Sequence, residues 1–375
     1  MSVSVDNRRT RTRTAIAAVL TILILIPVGV LFASVWGTVS DERESTRLEQ
    51  QGVEYLAALA PLVSALAEAQ SSALAGVSAP PGSLTDAVTA VAAADRRLGQ
   101  ELRTRERWTG LRQKIDQLPQ VTGTPLVVFQ AHVEVTDLAL ALYNAVRNNS
   151  ELIRDPDNDV SHLQQALAID LPVTVVQVSR MGDLSQLVAK ASVQLQAQLG
   201  PQFGAAVQSV NASVNSLTDD LQAAVDDTTS TTLSGNLVSG LDSFRRGVES
   251  LTRGANPGGT PNPATMATAQ SQLQVSLANL SGIASREMAA LLQDRLDRLD
   301  SQALVALISA GTVILLAIAA VAVPITGRRR TGAASGPGET TRDMTVGPTG
   351  RYAGPPAPEY DEVNPTWRER SGALR

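Results

Sequence analysis

The sequence contains no cysteine and only two histidines, His132 and His162. Disulfide bridges, thiolate metal sites and cysteine nucleophiles are therefore excluded, and a multi-histidine metal site is disfavoured. Aromatic residues amount to 3% of the chain, although 43% of its 375 residues are hydrophobic. Because this apolar content is almost all Ala, Val, Leu and Ile, it favours helices packed through small and medium side chains.

Motifs of common enzyme families are absent as well. The chain has no Gly-rich phosphate loop, no Ser-x-x-Lys, no Gly-x-Ser-x-Gly and no zincin motif. Such motifs position nucleophiles, phosphates or metals, so their absence predicts a protein that is not an enzyme and uses no cofactor or metal.

Two long segments, 15–36 and 303–325, contain no charged residue. Each is long enough to cross the ~30 Å hydrocarbon core of a bilayer as a helix. The first exceeds the about 7–15 apolar residues of a signal peptide, and no good cleavage site follows it. We therefore predict two uncleaved transmembrane helices and a lipid bilayer as partner.

Arginines precede the first apolar segment and follow the second. Cytoplasmic flanks of membrane helices carry an excess of Arg and Lys, so residues 1–14 and 326–375 are expected in the cytoplasm. The segment 37–302 is then extracytoplasmic, and its acidic balance argues against a nucleic acid partner. The residues that determine this topology are Arg8, Arg9, Arg11, Arg13, Arg328, Arg329 and Arg330.

Breaker residues divide the segment 37–302 into about eight stretches with helical periodicity. Apolar residues recur at seven-residue spacing, as at Leu48, Tyr55 and Leu62, which predicts an all-α fold, an elongated antiparallel helical bundle continuous with the two transmembrane helices. The predicted helices cover about 41–77, 83–118, 126–153, a short stretch to 170, a stretch to 199, 207–224, a stretch to 253, and 264 into the second apolar segment.

Local signals define the predicted helix ends. Ser83 and Asp86 have capping-box spacing at the start of the second helix. The leucine-proline step at 171–172 and the glycine-proline step at 200–201 are expected to break helices. The β-branched run 173–176 leaves a short strand open as an alternative to helix.

The acidic turn Asp155-Pro156-Asp157 is followed by the apolar stretch 163–167 and by the leucine-proline step. With the helix count and the continuity into the apolar segments, this layout resembles the extracytoplasmic helical sensor domains of bacterial histidine kinases and chemoreceptors, above all the nitrate- and nitrite-sensing type. The resemblance implies two stacked four-helix bundles, a role in signal transduction and a homodimer.

The chain departs from that family in two ways. The stretch 67–73 contains no arginine where the family has an Arg-Glu-Arg-Gly type motif, so it lacks the guanidinium forks that bind a planar oxyanion. About 50 residues follow the second apolar segment, which is too short for a kinase or methyl-accepting module. We therefore expect signalling through a separate cytoplasmic partner that contacts residues 331–375.

Few side chains are candidates for ligand binding. Arg154 and Arg180 flank the receptor-like motif, and His162 lies close to the acidic turn. A metal would need oxygen ligands around that histidine, but the turn lacks calcium-loop periodicity, and its Asp and Asn residues are typical helix caps. The arginine-rich stretch 96–107 is interpreted as a solvated face with local ion pairs.

The stretch 326–375 is rich in Gly and Pro and predicts a disordered tail. Thr340 and Thr341 are candidate phosphorylation sites within it.

These observations lead to three hypotheses. In the first, a two-span membrane protein binds a small ligand or an envelope protein through its bundle and relays the signal to a cytoplasmic partner. In the second, the chain is an envelope scaffold that does not sense. In the third, it is a remnant of a split sensor histidine kinase.

Overall fold

The computed structural model describes residues 4–326 apart from 78, 154, 156, 229 and 256–260. This part of the chain contains nine α-helices and no β-strand, so the prediction of an all-α fold is confirmed. A 3₁₀ turn, Leu118–Gln120, follows α3, and a π-helix, Ala166–Asp170, joins α5 to α6. The helices are α1 (Ser4–Leu74), α2 (Gly82–Leu98), α3 (Arg105–Gln117), α4 (Pro125–Asn149), α5 (Asn158–Gln165), α6 (Leu171–Lys190), α7 (Val193–Asp227), α8 (Thr231–Ala255) and α9 (Pro263–Thr326).

The two longest helices, α1 with 71 residues and α9 with 64, run antiparallel to each other. Gln50 Nε2 donates to Gln293 Oε1 over 3.2 Å, and Gln270 Nε2 lies 3.5 Å from Ser71 Oγ. Residues further along α1 therefore meet residues earlier in α9. The apolar segment 15–36 is part of α1, and the residues 303–325 are part of α9.

One hydrophobic core includes residues of all nine helices in the described part of the chain. Helix α1 packs against α2, α4 and α6, helix α6 packs against α7, and α7 packs against α8. Helix α8 approaches α9 closely at Gly240 and Gly247, where an added Cβ would meet Leu280 and Leu273. Leucine and alanine dominate this core, and full burial of each leucine contributes about 1.5–3 kcal/mol.

The single helix predicted over 83–118 is wrong, because the chain turns between α2 and α3. Asp95 is buried, and its Oδ1 accepts hydrogen bonds from Tyr55 Oη at 2.9 Å and Thr104 Oγ1 at 2.7 Å. Holding Thr104 against Asp95 requires a tight turn, in which Arg103 has a φ of 51°. The capping box is also wrong, since Ser83 Oγ donates to Glu68 Oε2 on α1 instead.

Neither predicted proline break occurs. The backbone N–H of Leu171 bonds to the carbonyl of Ala166, five residues earlier, so the helical path continues through Pro172 at the start of α6. Pro201 lies inside α7. Because proline has no N–H group, one carbonyl in the preceding turn loses its helical hydrogen bond, but the residues of that turn are exposed and water can hydrate it. The run 173–176 is helical, and the helix expected to reach about 199 ends at Lys190.

Three helices of the described chain, α1, α4 and α9, are long and apolar enough to cross a membrane. None of the most apolar window of α1 and only 6% of that of α9 is buried, whereas 39% of the most apolar window of α4 is buried. This exposure indicates association with a membrane. Arg328, Arg329, Arg330 and the tail 331–375 with Thr340 and Thr341 lie outside the described residues.

Candidate functional site

The three predicted ligand-binding residues do not form one site. Arg154 lies outside the described residues. The guanidinium of Arg180 is occupied, because Nη2 donates to Asp137 Oδ1 at 2.6 Å and to Thr136 Oγ1 at 2.9 Å. With 17% of its side chain exposed, Arg180 ties α6 to α4. His162 instead contacts α7, where its Nδ1 lies 2.9 Å from Asp220 Oδ1.

His162 of α5 belongs to a polar cluster that also contains Asp170 of the π-helix and Asp220 of α7. Asp170, the last residue of the π-helix, is 5% exposed and accepts a hydrogen bond from Ser216 Oγ at 2.9 Å. Burial and a hydrogen bond to Asp220 raise the pKa of Asp170 to about 7. Among the described residues no group of three or more His, Asp or Glu could hold a metal ion.

The Asp-Pro-Asp turn is held by an arginine of α9 that the sequence analysis had not singled out. Arg295 donates from Nη1 and Nη2 to both carboxylate oxygens of Asp155, at 2.7 and 2.5 Å, and from Nη2 to Asp157 at 2.9 Å. Glu49 of α1 lies 3.5 Å from the same guanidinium. Burial and the nearby Asp155 raise the pKa of Glu49 to about 7. This network joins the turn to both long helices.

A cavity of about 900 Å³ lies between α1 and α9 and has α6 as its floor. Its walls consist mainly of small side chains, among them Ala60 and Ser64 of α1 and Ala278 and Ser281 of α9. Its volume falls in the range of small-ligand sites, about 300–1,000 Å³. Since both walls belong to helices that continue into the exposed apolar segments, this cavity is the candidate functional site.

One end of the cavity adjoins a buried carboxylate. Asp183 of α6 is fully buried and accepts hydrogen bonds from Gln70 Nε2 at 2.7 Å, Ser71 Oγ at 2.8 Å and Ser179 Oγ at 3.3 Å. Burial raises the pKa of Asp183 to about 6, although these donors oppose the increase. Ser71 and Gln270 line the cavity in front of Asp183.

Two charged side chains line the cavity, Glu68 of α1 and Arg286 of α9. Glu68 accepts the hydrogen bond from Ser83. Arg286 extends back along α9, and its Nη1 lies 3.5 Å from the position that a Cβ would take at Gly282. Arg286 is exposed and forms no ion pair within the described ranges.

The sequence of α1 contains a pattern that corresponds to this cavity and differs from the heptad stripe that predicted the core. Besides the leucine stripe of α1, a second stripe of Ala, Pro and Ser recurs at three- and four-residue spacing, at 57, 60, 61, 64 and 71. Such small residues leave room beside the helix, but whether another helix fills that room depends on tertiary packing.

Comparison of the chain with protein-family models, with curated proteins and with solved structures finds no match.

Proposed function

We propose that this chain is a two-span membrane protein whose helical bundle binds a small ligand in the cavity between α1 and α9 and relays its presence to a partner across the membrane. One observation carries the proposal. The two helices that form the walls of the cavity continue without a break into the exposed apolar segments. A change in their separation at the cavity therefore reaches the bilayer directly.

The membrane spans of this proposal are the apolar ends of α1 and α9, and not α4. Phe129, Leu142 and Val146 of α4 are buried in the core of the bundle, where they need no lipid. Glu134 and Asp137 of the same helix bond to Lys114 and Arg180, respectively. Charged residues within a span are costly, whereas the segments 15–36 and 303–325 contain none.

Charge distribution supports the proposed topology. Arg8, Arg9, Arg11 and Arg13 precede the first apolar segment, and Arg328, Arg329 and Arg330 follow the second. Under the positive-inside rule both termini are cytoplasmic, and the bundle is extracytoplasmic. Trp36 ends the first apolar segment, a position at which aromatic side chains anchor membrane helices at the interface.

Contacts between α1 and α9 at the end of the bundle support the relay. Val39 packs against Leu299 and Ala303 in a separate buried cluster, and Arg43 pairs with Asp300 one turn further into the bundle. Next to this cluster, Val35 and Val305 of the two apolar segments and the adjacent Gln302 line a common crevice. The finer elements of the proposal are two stacked four-helix bundles, a homodimer and a cytoplasmic partner that contacts residues 331–375.

A ligand screen on cavity-filled variants tests the proposal. In Ala278→Trp the indole obstructs part of the cavity, and in the matched control Ala290→Trp it lies on an exposed part of α9 outside it. The full chain in lipid nanodiscs is screened by thermal shift against amino acids, short peptides and inorganic anions. A ligand of the cavity raises the melting temperature of the wild type and of Ala290→Trp but not of Ala278→Trp.

The relay can be measured separately, because the chain contains no native cysteine and an introduced cysteine pair is therefore the only one that can form a disulfide. Val35→Cys and Gln302→Cys, placed together, report the approach of α1 and α9 through their disulfide formation rate. We expect Ala278→Trp to change this rate at least about twofold and Ala290→Trp to leave it unchanged. Equal rates in both backgrounds contradict the relay, and a screen without any binder favours the envelope scaffold.

A further inference from the structure

We propose that the network around Arg295 is a binding site for a single proton, held on Glu49, and that loss of this proton weakens the attachment of α1 to α9 and to the Asp-Pro-Asp turn. The ligand of this site is a proton and not a molecule in the cavity, so the inference goes beyond the proposed ligand site. Under the proposed topology, the bundle then responds to the pH outside the cytoplasm.

The charges that are buried in this network do not balance. The side chain of Asp155 is fully buried, and Glu49 is 4% exposed. Among the described residues, the cation that acts on Glu49 is Arg295, whose Nη1 and Nη2 already donate to both carboxylate oxygens of Asp155. Two buried carboxylates therefore share one guanidinium, and one added proton makes the buried group neutral.

The other charged groups that face Glu49 in the described structure are acidic. They come from the turn between α4 and α5, where Asp155 and Glu151 lie close to Glu49. Asp157 contacts the same guanidinium, and its side chain is 54% exposed. Ser45 of α1 donates to Glu151 Oε2 at 2.6 Å and so holds this carboxylate at the edge of the network. Repulsion by these carboxylates favours the protonated form of Glu49.

The network also lacks hydrogen-bond donors. Oε2 of Glu49 is buried without a hydrogen bond, because its distance of 3.5 Å from Arg295 Nη1 is too long for one. Gln164 of α5 is 2% exposed, its Nε2 lies 3.5 Å from Asp155 Oδ2, and its Oε1 accepts no hydrogen bond from the described residues. A buried carboxylate without a donor is unfavourable, and a proton on Glu49 removes the charge and supplies a donor.

The proton couples to the position of α1. Burial, followed by the charge of Asp155, raises the pKa of Glu49 to about 7, from 4.5 for an isolated glutamate. The stabilisation by this proton is therefore fully present below about pH 4.5 and is lost as the pH rises through about 7. Once ionised, Glu49 gains free energy by moving towards water, which draws α1 away from Arg295. Because α1 and α9 continue into the apolar segments, this change reaches the bilayer.

Infrared spectroscopy of the full chain in lipid nanodiscs tests for the proton. A protonated carboxylic acid has a C=O stretch that a carboxylate lacks, and Glu49→Gln removes the acid with little change in shape. We expect the wild type to show one such band at pH 6 that Glu49→Gln lacks, and this band should disappear with a midpoint near pH 7. The matched control Glu44→Gln, which removes an exposed glutamate of the same helix, should retain the band.

Asp155→Asn tests whether the charge balance sets this midpoint. The amide no longer repels Glu49 and releases the guanidinium of Arg295 to pair with it, so the pKa of Glu49 falls. The midpoint of the band should then move down by about one pH unit or more. A midpoint that stays near pH 7 in a folded Asp155→Asn protein overturns the proposed charge balance.

Amide hydrogen exchange measures the consequence for the helices. After correction for intrinsic exchange rates, the amides of α1 around Glu49 should lose protection between pH 5 and pH 8. This loss should be about tenfold or more larger in the wild type than in Glu49→Gln, whereas Glu44→Gln should follow the wild type. Identical infrared spectra of the wild type and Glu49→Gln at pH 6 overturn the proton site, and equal losses of protection overturn its coupling to α1.

Discussion

Asp220 Oδ1 lies 2.9 Å from Nδ1 of His162, and the same carboxylate lies near the buried carboxyl group of Asp170. Burial and the neighbouring Asp220 both oppose ionisation of Asp170, so Asp170 retains its proton where an isolated aspartate has lost its own. The π-helix produces this contact, because it changes the helical register just before Asp170. Asp170 is therefore a titratable residue at the contact between α7 and the π-helix, which joins α5 to α6.

The first prediction concerns pH. Asp170 has a pKa of about 7 in the folded protein and about 3.8 when unfolded, so folding takes up a proton between these values. The contribution of Asp170 to stability should therefore be fully present below about pH 4, decrease as the pH rises to about 7, and be absent above it. Asp170→Asn keeps the shape and cannot ionise, so at pH 8 it should be more stable than the wild type by about 1–2 kcal/mol. Urea unfolding at pH 5 and pH 8 measures the difference.

Asp219→Asn is the control for this substitution, because it removes a carboxylate from an exposed neighbouring position of α7. It should leave the pH dependence of the free energy of unfolding as it is in the wild type. A stability of Asp170→Asn that falls with pH as steeply as that of the wild type would refute the raised pKa of Asp170.

The second prediction concerns Arg295, which pairs with the buried carboxylate of Asp155. Arg295→Gln leaves Asp155 without a positive partner and Glu49 without its nearest cation, so we expect a loss of about 3–5 kcal/mol in the free energy of unfolding. Arg298→Gln, an exposed substitution one turn later, should stay within about 0.5 kcal/mol of the wild type. Similar losses in both variants would argue against a specific role of the Arg295 network.

The third prediction concerns the close contact of α1 with the end of α4. A Cβ at Gly52 would clash with Cβ of Ser150, which is fully buried and cannot move away. Gly52→Ala should therefore destabilise the protein by about 1–3 kcal/mol through overpacking. Gly110 lies in helix α3 with nothing within 4 Å of an added Cβ, so Gly110→Ala should stabilise by about 0.5–1 kcal/mol. Thermal unfolding that ranks the two variants in the opposite order would contradict this packing.

The fourth prediction concerns topology. Single cysteines are introduced at Asp116 in the bundle and at Ser335 in the tail, which is straightforward because the chain has no native cysteine. A membrane-impermeant maleimide applied to intact cells should label the first and not the second until the membrane is permeabilised. An added cysteine at Asn148 of α4 should be labelled like Asp116→Cys. Protection of either bundle position in intact cells would contradict an extracytoplasmic bundle.

Much of the helical layout could be predicted, because helical periodicity and turn residues act locally. The helix expected over 126–153 is α4, and the helix expected over 207–224 lies within α7. Pro172 and Pro201 were overestimated as breakers, since one missing N–H costs little at the start of a helix or where water reaches the carbonyl. For the candidate site the prediction was poorer: His162 and Arg180 proved to contact different helices.

The sequence by itself determined the all-α fold, the absence of thiol chemistry and the two exposed apolar segments, because composition and periodicity depend on nearby residues only. Tertiary structure alone decided the turn after α2, where Asp95 meets Tyr55 40 residues away, and the pairing of Arg295 with Asp155 across 140 residues. It also decided the cavity, because a stripe of small side chains becomes an open channel only where no other helix packs onto it. Such contacts between distant residues leave no local periodicity from which they could be inferred.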